Sequence, residues 1–207
     1  MVNKVTTATV IGLDAFNVTV ETDVLGGLPA FSIVGLPDTA INEARDRVRS
    51  AIKNSGFTFP AKKVVINLAP ADLKKEGSNF DLPIAIGLLI EEEVLQEEKL
   101  QNYAFIGELS LDGSLRGVNG VLPLILGLKS FGIKNIFVPT VNAQEAGLAG
   151  DVNIYGANSL AEVVNHFSDN PIKPTVIDIN SYLAESSKQD YVYDFKDVKG
   201  QQKAKRA

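Results

Sequence analysis

The sequence predicts an α/β chain of α+β character, a β-sheet packed with helices, and three observations predict it. The opening third holds runs that alternate apolar and polar residues and are rich in β-branched side chains. Later segments alternate short strand-like runs with runs of helical period, and Gly, Pro, Asn and Asp mark the joints. Residues 5–11 and 16–24 read as two strands joined at Gly12-Leu13-Asp14, and 30–34 as a third. Pro37 and Asp38 open a helix in which Ile41, Ala44, Val48, Ala51, Ile52 and Ser55 recur at helical spacing, with Gly56 as its stop. Residues 63–68 read as a buried strand and 70–79 as a polar loop. A helix over 82–92 follows, with Asp81 as its cap and Pro83 tolerated in its first turn. Asp112-Gly113 inside 106–116 signals a hairpin. After it come a helix over 121–131, a strand at 135–138, a short helix at 143–148, a strand at 152–155 and a helix at 159–167. The stretch from Ser168 to about Tyr191 turns polar and carries Pro171 and Pro174, as a linker or wrapping segment does.

Composition narrows the function classes. The 207 residues are 45% apolar, enough for one substantial core, and the formal charge of −5 provides no global positive field for nucleic acid or an anionic membrane, so any such binding must be local. With no cysteine and one histidine, thiolate zinc sites, thiol nucleophiles and multi-histidine metal centres are excluded, and no metal site is expected. Residues 1–11 lack a continuous apolar segment of the signal-peptide kind. The longest apolar stretches, 82–90 and 121–128, fall far short of the roughly 20 residues that span a bilayer.

Two places could carry chemistry. Arg45, Arg47 and Arg49 could present guanidinium groups to phosphate or to a neighbouring subunit's carboxylates, although Glu43 and Arg47 form an i,i+4 pair of the kind found on ordinary solvated faces. The loop 70–81, with Lys74, Lys75, Ser78, Asn79 and Asp81, lies between a buried strand and a buried helix, where α/β proteins build sites. Its plainer reading is a helix entrance capped by Ser78 and Asp81. The run from Gly120 to Ser130 imitates a phosphate loop but fails on spacing, because Leu128 separates Gly127 from Lys129. His166, at a helix end, is assigned no role, and Glu91, Glu92 and Glu93 read as a solvated helix end.

The run from Ile33 to Gly56, the run Asn67-Leu-Ala-Pro-Ala-Asp-Leu-Lys-Lys-Glu-Gly-Ser-Asn-Phe-Asp-Leu-Pro83, the segment Gly107-Glu-Leu-Ser-Leu-Asp-Gly113 and the close from Asp194 to Ala207 together resemble the amino-terminal part of the Mg-chelatase-like (ComM/YifB) family. The resemblance implies a Lon-protease-like, ribosomal-protein-S5-domain-2-like sandwich over 1–168, a linker over 169–193, and over 194–207 the start of an AAA+ ATPase module cut before its Walker A motif. It also implies that Val198, Gly200 and Gln201 lie where related ATPases approach the adenine. ATP and Mg2+ are expected of a longer parent and no cofactor of this stretch alone. Laid on Lon peptidases, the serine position falls on Asn79 and the lysine position on Leu122, so no catalytic residue is expected here. The expected role is a non-catalytic assembly and DNA-handling domain of a hexameric cytoplasmic ATPase that promotes branch migration in natural transformation and recombination. Its partners would be its own ATPase module, neighbouring protomers and single-stranded or branched DNA. A residual serine hydrolase using Ser78 with Lys74 or Lys75, and the motor subunit of a metal chelatase, are the alternatives.

Overall fold

A computed structural model describes residues 2–12, 14–168, 170–177 and 198–206. These fall into two units, Met1–Val176 and Ile177–Ala207. In the first, the strands are β1 (Asn3–Ile11), β2 (Asp14–Leu25), β3 (Ala30–Val34), β4 (Lys63–Ala69), β5 (Tyr103–Phe105), β6 (Glu108–Leu109), β7 (Leu115–Arg116), β8 (Asn135–Pro139) and β9 (Asn153–Ala157). The helices are α1 (Thr39–Asn54), α2 (Asp81–Glu91), α3 (Val121–Ser130), α4 (Ala143–Gly147) and α5 (Leu160–His166).

Among the described residues seven strands form one sheet in the order β3-β4-β2-β1-β5-β8-β9, and β6 pairs only with β7. Only β2 runs against the others: it is antiparallel to β1 and β4, whereas β3–β4, β1–β5, β5–β8 and β8–β9 are parallel pairs. Alternation along the strands divides the core between two faces. Val18 and Val20 of β2, Val64, Ile66 and Leu68 of β4, Phe105, Phe137 and Tyr155 pack with α1, α2 and α5. Ala8, Ala104, Ile136, Val138 and Ile154 face the other way and pack with α3 and α4. α2 is buried on nearly every side, which explains why its sequence shows almost no polar face. Its Gly87 passes so close to Thr22 that a methyl group there would strike the threonine hydroxyl.

Most sequence expectations match these elements within one or two residues. β5 was not anticipated, because three residues are too few to display alternation. The hairpin at 106–116 is present as β6 and β7, closed by Ser110 N donating to Ser114 O and by Asp112 Oδ1 accepting from Ser114 N at 3.0 Å. One expectation is overturned. Asp81 does not cap α2: Phe80 occupies the cap position without a side-chain bond, and Asp81 lies within the helix, fully buried. Nor does the Ser78 hydroxyl cap it; the Ser78 backbone oxygen accepts from Asp81 N. The 120–130 run is α3, with Gly127 lying against Ala15.

Beyond α5, residues 170–176 remain part of the first unit. His166 Nδ1 accepts from Ile172 N at 3.1 Å, Thr175 N donates to Ile154 O at 2.7 Å, and Ile172 packs on the core. Most of the expected linker, including Ile179, Tyr182, Leu183, Tyr191 and Tyr193, lies outside the described residues. In the second unit, α6 (Gln202–Lys205) follows Gly200 and Gln201, both at positive φ, and Lys205 Nζ donates to Val198 O.

Candidate functional site

Because every sheet strand except β2 points the same way, the segments leaving β3, β4, β5 and β8 emerge at one end of the sheet, where α/β folds place their crevices. A cleft of about 350 Å³ opens there, lined by Val10, Glu76, Gly77, Ser78 and Asn79 on one side and by Val118, Asn119, Gly120 and Leu124 on the other. A smaller hollow of about 190 Å³ continues from it past Ile11, Gly12 and Lys74.

The 70–80 loop is held from both flanks. Asp38 caps α1 by accepting Ile41 N at 2.8 Å through Oδ1, and through Oδ2 it accepts Gly77 N at 3.1 Å. Lys75 N donates to Leu36 O and Asp38 N to Lys75 O. Gly35 turns the chain at φ +97, with no room for a Cβ against the Leu68 backbone. Asn79 is 8% exposed; its Nδ2 donates to Ala8 O at 3.1 Å and its backbone oxygen accepts Gly107 N.

The predicted contact residues separate on this frame. Lys75 is no surface cation: it is fully buried and its Nζ donates to the backbone oxygens of Gly35 and Pro70, because the turn at Gly35 leaves a carbonyl that only a long donor can reach. Burial pulls that ammonium below its usual pKa. Lys74 is exposed and paired with Glu76 at 2.5 Å, a contact that raises its pKa. Ser78 lines the cleft, and its hydroxyl has no hydrogen bond among the described residues.

Nor do Arg45, Arg47 and Arg49 form one surface, since alternate helix positions lie about 200° apart. Arg47 turns inward onto Asp81, giving Nε–Oδ2 at 2.7 Å and Nη2–Oδ1 at 3.0 Å, with a further bond from Nη2 to Ala40 O. Its contact with Glu43 is only 3.9 Å, so the i,i+4 pair read from sequence is the lesser one. Burial pushes the Asp81 carboxyl up to about 6, against the pull of Arg47 and of the Leu109 N–H at 3.1 Å, while the carboxylate raises Arg47. The pair ties α1, α2 and β6 together behind the cleft. Arg45 is exposed and donates to Asn42 O, and Arg49 lies over Phe59.

Leu122 does not meet Asn79. It lines a separate cleft of about 390 Å³ with Asp14, Ala15, Pro123, Leu126, Gly127 and Ser130. Asn119, facing Asn79 across the first cleft, was not singled out from sequence, and Gly120 beside it was weighed only as the start of a phosphate-loop imitation. His166 sits among Tyr103, Phe137, Tyr155 and Phe167, with burial lowering its pKa. No group of residues fit to hold a metal ion occurs among the described residues, and no described helix is long and apolar enough to cross a membrane.

A mixed α/β domain with a polar crevice at the carboxyl ends of its strands is what these residues build, and the chain belongs to the family described as subunit ChlI of Mg-chelatase, whose model matches residues 20–142. It is 43% identical over 197 residues to competence protein ComM of Haemophilus influenzae, covering 95% of this chain and 38% of that protein. It is also 43% identical over 205 residues to YifB of Escherichia coli, covering 97% and 38%, and 41% identical over 152 residues to Rv2897c of Mycobacterium tuberculosis, covering 73% and 30%. The chain therefore spans under two fifths of the length of these curated relatives.

Proposed function

We propose that this chain is a non-catalytic assembly and DNA-handling domain of a longer AAA+ ATPase, acting in the cytoplasm as part of a hexamer that moves branched DNA during recombination. Family membership and the name of the Haemophilus relative, a competence protein, support the general direction. The observation that carries the non-catalytic part is the commitment of both lysines beside Ser78. A serine nucleophile needs a base free to take its proton. Lys75 is instead buried on two carbonyl oxygens and Lys74 is paired with Glu76. Asn79, at the position that resembles the Lon serine, offers an amide that cannot be activated as an alkoxide.

ATP and Mg2+ would act in the parent's ATPase module, near Val198, Gly200 and Gln201. The Gly120–Ser130 run does not fit a triphosphate cradle, because Gly127 packs inside α3 against the sheet. The test pairs two assays on this chain: turnover of an unfolded protein with a serine-reactive probe, and binding of single-stranded and branched DNA across a salt series. No turnover together with salt-sensitive DNA binding is the expected result. Turnover abolished by Ser78→Ala would establish the hydrolase instead.

A further inference from the structure

At the opposite end of the sheet from the cleft, where β3 and β4 begin, a small hollow of about 50 Å³ is lined by Pro29, Ala30, Phe31, Arg49, Phe59, Pro60 and Lys62. The Phe31 and Phe59 rings lie 5.7 Å apart, and the Arg49 guanidinium sits 5.3 Å from the Phe59 centroid. Both rings are partly exposed, and Leu28, just before Pro29, is 87% exposed. Along α1, Arg45 and Lys53 stand one turn to either side of Arg49, all three exposed. Asp46 is the carboxylate on that side of the helix, and no ion pair joins it to these cations among the described residues. Arg49 and Lys62 thus line the hollow with the two aromatic rings, and Arg45 and Lys53 extend the positive charge along the same side of α1, on a chain whose formal charge is −5.

We infer that this face binds single-stranded nucleic acid, with Arg45, Arg49, Lys53 and Lys62 on phosphates and Phe59 as a platform for a base. The inference rests on the DNA-handling reading above and moves the contact from the Arg47 and cleft positions to the other end of the sheet. Charge complementarity selects a polyanion. The flat rings select bases over the side chains of an acidic protein surface, since stacking on an aromatic platform is open to every base. Arg49, already stacked on Phe59, is held ready to bridge phosphate and base.

The test is fluorescence anisotropy of the 207-residue chain with a labelled oligodeoxythymidine over a salt series. Four phosphate contacts predict a slope of log K on log salt near −3, at about −0.7 per phosphate on single strands. Arg49→Ala with Lys62→Ala should lower that slope by about 1.4. Phe59→Leu, which keeps apolar packing, should weaken binding at least about fivefold without altering the slope. The charge-matched pair Lys134→Ala with Lys173→Ala should leave both unchanged. Binding that is intact in the Arg49/Lys62 and Phe59 variants would overturn this face as the contact and leave the DNA-handling reading standing. No binding by the folded chain would overturn both. An oligomer that dissociates in the Arg49/Lys62 variant, without nucleic-acid binding, would make the face a contact between copies.

Discussion

The Arg47–Asp81 pair joins α1 to α2 through a carboxylate that no water reaches, so its two halves are unequal. Arg47→Ala leaves a buried carboxylate without its counter-charge and should cost about 3–5 kcal/mol in urea unfolding. Asp81→Asn, which can still accept Leu109 N and leaves a guanidinium with access to water, should cost clearly less, and should recover part of the loss when combined with Arg47→Ala. The pH dependence follows from the raised carboxyl. Between 3.8 and about 6 the folded chain keeps a proton that the unfolded chain has released, so this group's contribution is greatest at acid pH and is lost as pH rises through 6. Removing Arg47 removes the opposing pull, and the variant's deficit should be larger at pH 8 than at pH 5. An equal deficit at both would mean that the carboxylate charge is not what is felt. His166 slopes the other way. Burial lowers its pKa, so its contribution is present above the ordinary 6.5 and is lost as pH falls below it. In His166→Phe, stability should therefore fall less, or rise more, between pH 7 and pH 5 than in the parent chain.

Among elements, α1 carries two connections at its cap residue. Asp38 caps the helix with one carboxylate oxygen and holds Gly77 of the cleft loop with the other. Asp38→Ala should cost about 1–2 kcal/mol, near the upper end for a lost cap, and amide exchange should quicken at residues 74–79 as well as in the first turn of α1. Quickening confined to α1 would mean that the loop is held from elsewhere. The helices and long strands were legible in the sequence because each shows its period over many residues: Ile41, Ala44, Val48, Ala51 and Ile52 mark the buried side of α1 without ambiguity. The site was less legible. Lys75 and Asp81 read as surface charges because their burial depends on carbonyls and a guanidinium supplied by segments up to 40 residues away, which no local period records. Phe59, Pro60 and Lys62 form no motif that marks them in the sequence, and their meeting with Arg49 needed the β3-α1-β4 crossover.

On the scale of the whole molecule, residues 170–176 lie along the β9 edge and seat Ile172 on the core. A chain ending at Ser168 should be less stable than one ending at Val176 by about 1–2 kcal/mol, the worth of one partly buried isoleucine and the bonds that seat it, and equal urea midpoints for the two would refute that packing.

The sheet's directionality has one further result. α1 begins beside the crevice, where Asp38 grips Gly77, and carries Arg49 and Lys53 toward the far rim, about 16 Å and about 22 Å along its axis from Asp38 at roughly 1.5 Å per residue. The helix acts as a spacer between two addresses, one polar and amide-rich with Glu76 in its lining, the other cationic and aromatic. A neighbouring protomer in the crevice and a strand of nucleic acid on the far rim would not exclude one another, so saturating either should leave the other's affinity unchanged.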